Sequence, residues 1–189
     1  MPAVAGDLRA SAPAMAVRAQ PRSADDRQLR DAFAQLPAGV SVVTSLGPHG
    51  PVGMTASTVC SLSLDPPLLL LCAANECRTL AQLRVHGRFA VNALPAHRAS
   101  IAQVFADPEP VPGHRFRVAA HHVVDAVPVL TDAVAVFTCA LRDTYPGGDH
   151  TIVVGRILTA TTTSGAQPLL WHARSYRRLA PLHPESTSR

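Results

Sequence analysis

The chain has no lysine; all 17 of its basic residues are arginine. A P-loop, a Schiff-base or pyridoxal enzyme and a Ser-Lys hydrolase each depend on a lysine amine, so those chemistries are excluded. Aromatic residues are scarce as well, at 4%. Strand-type nucleic-acid binding needs aromatic platforms between basic residues, so the formal charge of +4 points no more to nucleic acid than to a small anion, and no nucleic-acid partner is expected. No apolar run approaches the length that crosses a bilayer, and no membrane span is expected. The cysteines Cys60, Cys72, Cys77 and Cys139 have neither CxxC spacing nor zinc-type pairing with histidine, which leaves no metal site. Cys72 and Cys139 lie in apolar runs and read as buried thiols of a reducing, cytoplasmic compartment. No GxGxxG follows any strand-like run, which argues against a parallel, doubly wound nucleotide fold.

What is present suits a compact protein: 47% of the 189 residues are hydrophobic and 16% charged, enough for one domain with a real core. Residues 1–22, rich in Ala, Pro and Arg without periodicity, read as a loose extension. Asp7, Arg9 and the prolines interrupt any apolar stretch that a secretory signal would need. The domain is expected over 23–180, with 181–189 as a tail.

The chain is organised around Gly53-Met54-Thr55-Ala56-Ser57-Thr58 and the run that follows. Small and hydroxylated side chains let backbone amides approach a flat ligand closely and offer hydroxyls to its polar edge. Asp65-Pro66-Pro67 then breaks the chain into an extended segment, and Leu68-Leu69-Leu70-Leu71-Cys72 reads as a strand buried on both faces.

Upstream, Leu29, Ala32, Phe33 and Leu36 recur at helical spacing, with Ser23 to Asp26 as capping residues and Pro37-Ala38-Gly39 as the stop; this helix is expected to lie against a sheet. Val40 to Ser45 reads as a strand, turning at Leu46 to Pro51 into the central stretch. Downstream, Leu80, Leu83 and Val85 predict a short helix closed by Gly87. The loop before it, Ala73 to Thr79, reads two ways: a helix N-terminus with Arg78 and Thr79 as phosphate donors, or an ordinary helix cap. Strands are expected at 88–94, 120–129, 133–142, 150–163 and 168–180, a helix at 97–105 and a surface loop at 106–118. Many short strands with few helices predict a mainly β barrel with helical covers. His121 and His122 are adjacent and would face opposite sides of a strand, a poor metal pair.

Five segments in order, Gly53-Met54-Thr55-Ala56-Ser57, Ser63-Leu64-Asp65-Pro66-Pro67-Leu68, Gly87-Arg88-Phe89-Ala90-Val91-Asn92, Gly148-Asp149-His150-Thr151-Ile152 and Pro168-Leu169-Leu170-Trp171-His172, resemble the signatures of the flavin-reductase-like, FMN-binding split-barrel family. The resemblance spans about residues 26 to 180. It implies a homodimeric Greek-key split barrel with short peripheral helices, which binds FMN or FAD and reduces it with NADH or NADPH, often for a partner flavin-dependent oxygenase. By the same resemblance Met54, Thr55, Ala56, Ser57 and Thr58 line the flavin ring, and Asn75, Cys77, Arg78 and Thr79 form the phosphate loop. His150 then meets the nicotinamide; from its place after a turn alone, it reads as a surface histidine, and only the resemblance moves it into the site. Cys77 stands where the family usually has serine, a poorer partner for phosphate, and Val59-Cys60 replaces Phe-Thr beside the ring. A substrate flavin is therefore expected. Two other readings of the fold are an enzyme that retains its flavin and acts on an organic substrate, and a non-catalytic flavin- or haem-binding module.

Overall fold

A β-branched run, Ser41–Gly47, folds back through a two-residue turn onto Gly50–Ala56, so β2 and β3 form the hairpin expected from the sequence, pairing Ser41 with Ala56 through Gly47 with Gly50. The computed structural model describes residues 25–107 and 113–180. The expected extension 1–22, the capping candidate Ser23 and the tail 181–189 lie outside the described residues. Before the hairpin come α1 (Asp26–Phe33) and β1 (Ala38–Gly39); after it come β4 (Cys60–Leu64), β5 (Pro67–Ala74), α2 (Arg78–His86) and β6 (Arg88–Ala93). Then follow α3 (Ala99–Ala106), α4 (His114–Val118), β7 (His121–Val124), β8 (Val127–Leu130), β9 (Ala135–Gly147), β10 (His150–Thr162), β11 (Leu169–His172) and β12 (Ser175–Arg178).

Seven strands make one antiparallel sheet in the order β3-β2-β6-β9-β10-β5-β4. One apolar cluster joins Val43 of β2, Leu69 and Leu71 of β5, Leu80 and Leu83 of α2, and Phe89 of β6. Strands β2 and β5 are far apart in the hydrogen-bonding order, yet both send side chains into this one cluster, so the sheet curls round it. The mainly β, split-barrel expectation stands. A second cluster lies behind β2, where Val40 and Val42 meet Ile101, Ala102 and Phe105 of α3 and Phe116 of α4. Alternate residues of one strand thus serve two cores, as the period of two requires. The β7–β8 hairpin is stitched to the sheet by Asn92, fully buried, which donates to the Val42 carbonyl at 2.9 Å and accepts from the Leu130 N–H at 2.9 Å.

Several expectations need correction. Helix α1 forms where its periodicity placed it, capped by the Asp25 carboxylate, which accepts from the Arg27 N–H at 3.0 Å. Its apolar face is not against the sheet: Leu29 is 43%, Phe33 64% and Leu36 65% exposed. The helix is attached instead by polar contacts to the β11–β12 turn, with Arg174 donating to Asp31 at 2.6 Å and the Ala173 N–H to the Ala34 carbonyl at 2.7 Å. On α2, Leu80 and Leu83 are buried, but Val85, out of helical phase with them, is 84% exposed. Within the expected loop 106–118, residues 114–118 are helical. The single strands expected at 120–129 and 168–180 are each a hairpin, because Asp125-Ala126 and Ala173-Arg174 take positive φ and turn the chain without glycine. Cys72 is only half-buried, while Cys139 is fully buried and its thiol is pushed up to about 12 by that burial.

Candidate functional site

Strand β3 begins the site because Gly53 allows it to. A Cβ at this position would come within 2.7 Å of the Phe105 ring and 3.2 Å of the Val43 carbonyl, and Phe105 is itself buried. Glycine therefore lets α3 press on β3, and the chain emerges from beneath that contact as Met54-Thr55-Ala56-Ser57-Thr58. The hydroxyls of this stretch are divided. Thr55 donates to the Ala102 carbonyl on α3 at 2.6 Å, and Thr58 both donates to the Cys72 carbonyl at 3.0 Å and accepts from the Cys72 N–H at 3.1 Å. These two fix the segment between α3 and β5, while Ser57 stays exposed with no hydrogen bond among the described residues.

These residues line a pocket of about 700 Å³. Of the residues expected in the site, Met54, Thr55, Ala56, Ser57 and Thr58 are joined there by Cys77, Arg78, Thr79 and His150. Asn75 is not in the lining; its side chain donates to the Gly148 carbonyl at 3.0 Å and accepts from Thr151 at 2.8 Å. Cys77 is the N-cap of α2 and makes no side-chain capping bond; its thiol lies 3.1 Å from the Met54 sulfur. Arg78 and Thr79 occupy the first turn, so unpaired backbone N–H groups and the positive end of the helix dipole come with them. His150 opens β10, and its Nδ1 is 2.8 Å from Asp149 Oδ1. The hydrogen bond from His150, and then its charge, hold the Asp149 carboxyl below the usual carboxylate range. A carboxylate only accepts, so His150 Nδ1 carries the proton in this pair.

The rest of the lining was not expected from the sequence. It includes Cys72, Phe105, Asp107, Arg115, Trp171 and Tyr176. Arg115 donates to the Gly53 carbonyl at 2.6 Å and to the Val104 carbonyl at 3.2 Å, and its guanidinium lies 5.9 Å from the Phe105 ring centroid. Trp171 and Tyr176 meet edge to face, with ring centroids 5.0 Å apart. Burial, then the negative charge of Asp107, raises the Tyr176 phenol and keeps it neutral. A signal for Trp171 did exist: it ends the last of the quoted segments. Nothing local marked Arg115.

The pocket thus joins a close-approach backbone wall, a helix N-terminus that carries arginine and threonine, and an aromatic pair, all on a mainly β, split-barrel fold. Residues 33–180 match the flavin reductase like domain family, and the chain belongs to that family. It is 40% identical over 146 residues to a protein of Rhizobium meliloti named "Probable flavin reductase", covering 77% of this chain and 46% of that one. The chain therefore spans about half the length of that relative. Among solved structures, the NADH:FAD oxidoreductase SgcE6 of Streptomyces globisporus, in complex with NAD and FAD fragments, superposes with a TM-score of 0.78 at 36% identity, covering 84% of this chain and 96% of that one. BorF, the flavin reductase component of a bacterial two-component tryptophan halogenase, does so with a TM-score of 0.76 at 35% identity, covering 83% and 99%.

Proposed function

We propose that this chain is an NAD(P)H:flavin oxidoreductase, taking FMN or FAD as an exchangeable substrate and releasing the reduced flavin to a separate flavin-dependent oxygenase. The observation that carries the reading is convergence: residues from β3, the α2 N-terminus and the β9–β10 turn, far apart in sequence, line one pocket. The residues fit a flavin nucleotide. Ala56, Ala73 and Ala74 leave room for a flat ring beside the backbone, and the α2 N-terminus with Arg78 and Thr79 suits its phosphate. When bound, the nicotinamide supplies the hydride and the flavin accepts it, so no protein nucleophile is needed.

The chain's part is to hold and to orient. Thr55 and Thr58 are already bonded to backbone, so the ring wall needs no reorganisation on binding. Backbone amides at Thr55 to Ser57 would face charge that develops on the reduced ring, the logic of an oxyanion hole. His150, with its Nδ1 proton held by Asp149, leaves Nε2 for the nicotinamide side of the pocket. Cys77 spends its thiol on Met54 and offers phosphate little, which favours release over retention.

A homodimer and a cytoplasmic location belong to the same proposal. The exposed face of α1 and the edge strand β4, where Leu64 is 95% exposed, give a second copy of the chain apolar surface to cover. Among the described residues no helix is long and apolar enough to cross a membrane.

The test compares NADH and NADPH oxidation by the purified protein with FMN, FAD or no added flavin, then assays the anaerobic filtrate for reduced flavin, with light scattering on the same preparation. Turnover that requires added flavin, reduced flavin in the filtrate and a dimeric mass are expected. Flavin that stays with the protein through filtration would transfer the assignment to a retained-flavin enzyme. A monomeric mass would remove the dimer.

A further inference from the structure

The β9–β10 turn that carries His150 has little apolar packing of its own, since residues 144–150 are all exposed. Beyond the β9–β10 and β5–β10 ladders, the polar contacts that tie it to the rest of the chain converge on Asn75. Strand β5 pairs with β10 as far as Ala74 opposite His150, and Asn75 is the next residue along. Its backbone N–H donates to the Asp149 carbonyl at 3.0 Å, and its side-chain amide donates to the Gly148 carbonyl at 3.0 Å. Its side-chain oxygen accepts from the buried Thr151 hydroxyl at 2.8 Å, and that hydroxyl accepts in turn from Arg84 of α2 at 3.1 Å. One side chain therefore bonds the turn on both sides of His150, and the chain of bonds ends on the helix whose first turn holds Arg78 and Thr79.

We propose that Asn75 is a positioning residue. It locks the turn bearing His150 to the Cys77–Thr79 loop, so that whatever meets His150 is held at a fixed place relative to whatever occupies the loop. This rests on the reading that His150 faces the nicotinamide and the loop takes the flavin phosphate. Asn75 then acts on nicotinamide binding without touching either nucleotide. The side chain is well suited to this: it is the amide's combination of donor and acceptor that reaches a carbonyl on one side and a hydroxyl on the other. An aspartate of the same shape keeps the Thr151 bond and loses the one to Gly148.

The experiment uses Asn75→Ala, Asn75→Asp, His150→Ala and the Asn75→Ala/His150→Ala double variant in the full chain. NAD+ affinity is measured by calorimetry, FMN and FAD affinity by fluorescence quenching, KM and kcat with NADH, and amide hydrogen exchange at residues 148–151. Both Asn75 variants are expected to raise KM for NADH and weaken NAD+ several-fold, with flavin affinity unchanged and faster exchange at the turn. In the His150→Ala background, Asn75→Ala should add no further loss, because the group it positions is gone. Losses that add in the double variant, or unchanged NADH and NAD+ parameters in the Asn75 variants while His150→Ala is impaired, would overturn the proposal. An equal loss of flavin affinity would also overturn it and make Asn75 a flavin contact. Normal nicotinamide parameters in His150→Ala would instead remove the parent reading of His150, and the positioning role with it.

Discussion

The pocket lining comes in two kinds. Met54 to Thr58 and Cys77 to Thr79 are short contiguous runs, small or hydroxylated except for Met54 and Arg78, that offer backbone and helix-end groups to a ligand. Phe105, Arg115, Trp171 and Tyr176 are large side chains brought in singly from four later elements, α3, α4, β11 and β12. The first kind presents the chain itself, and its residue types follow from what the backbone must do. The second kind closes the pocket by packing, and its residue types follow from what stands opposite. Gly53 and Arg115 join them: the glycine admits Phe105 against β3, and the arginine holds the Gly53 carbonyl.

That division can be broken most severely at Gly53. A valine there would drive its Cβ into the Phe105 ring and the Val43 carbonyl, neither of which can retreat, so Gly53→Val should destabilise the fold by about 3 kcal/mol. Urea unfolding checks this. A midpoint equal to that of the parent chain would mean that α3 can slide on β3, and that the two kinds of lining are not mechanically joined. The next largest effect belongs to Arg115→Met. The apolar stem is kept, but the carbonyls of Gly53, Val104 and Asp107 lose a charged donor, which should cost about 2 kcal/mol and loosen flavin several-fold. Thermal unfolding beside a flavin titration reads both. Lost stability with full flavin affinity would confine Arg115 to the α3–α4 packing and leave β3 independent of it.

The two kinds of lining also mark how far the sequence could be read. Helix α1, the β2–β3 hairpin, α2 with its left-handed Gly87 and the apolar run of β5 all follow from local rules, because period, caps and turn residues act over a few positions. The contiguous lining was legible for the same reason: small and hydroxylated residues close together in sequence suit a backbone wall that a ligand approaches better than they fill a core. Arg115 was not, since it lies beside a loop and takes its role from carbonyls on other segments. The β7–β8 and β11–β12 turns were not either, because Asp125-Ala126 and Ala173-Arg174 adopt positive φ that neither pair of residues announces. The exposed face of α1 shows the reverse error. Its periodicity correctly gives a helix with an apolar stripe, but the period does not say which surface covers the stripe. Asn75 is a third case, in which a residue placed in the site by resemblance of sequence is turned toward the Gly148 carbonyl.

The smallest and most specific change falls within the contiguous lining, at Cys77. The α2 N-terminus has no side-chain cap, because the thiol of its N-cap residue lies against the Met54 sulfur. A serine there is a stronger donor and a good N-cap, whereas the Cys77–Met54 contact it replaces is a weak one. Cys77→Ser should therefore stabilise the chain by up to about 1 kcal/mol through the cap. It should also tighten FMN or FAD several-fold, since the hydroxyl can serve phosphate as well. Cap and phosphate compete for one hydroxyl, so the gain in stability should shrink when saturating flavin is present. Denaturation with and without flavin separates the two uses. Tighter flavin with an unchanged melting temperature would assign the hydroxyl wholly to the ligand, and looser flavin would show that the Met54–Cys77 contact shapes the ring wall more than the missing cap weakens it.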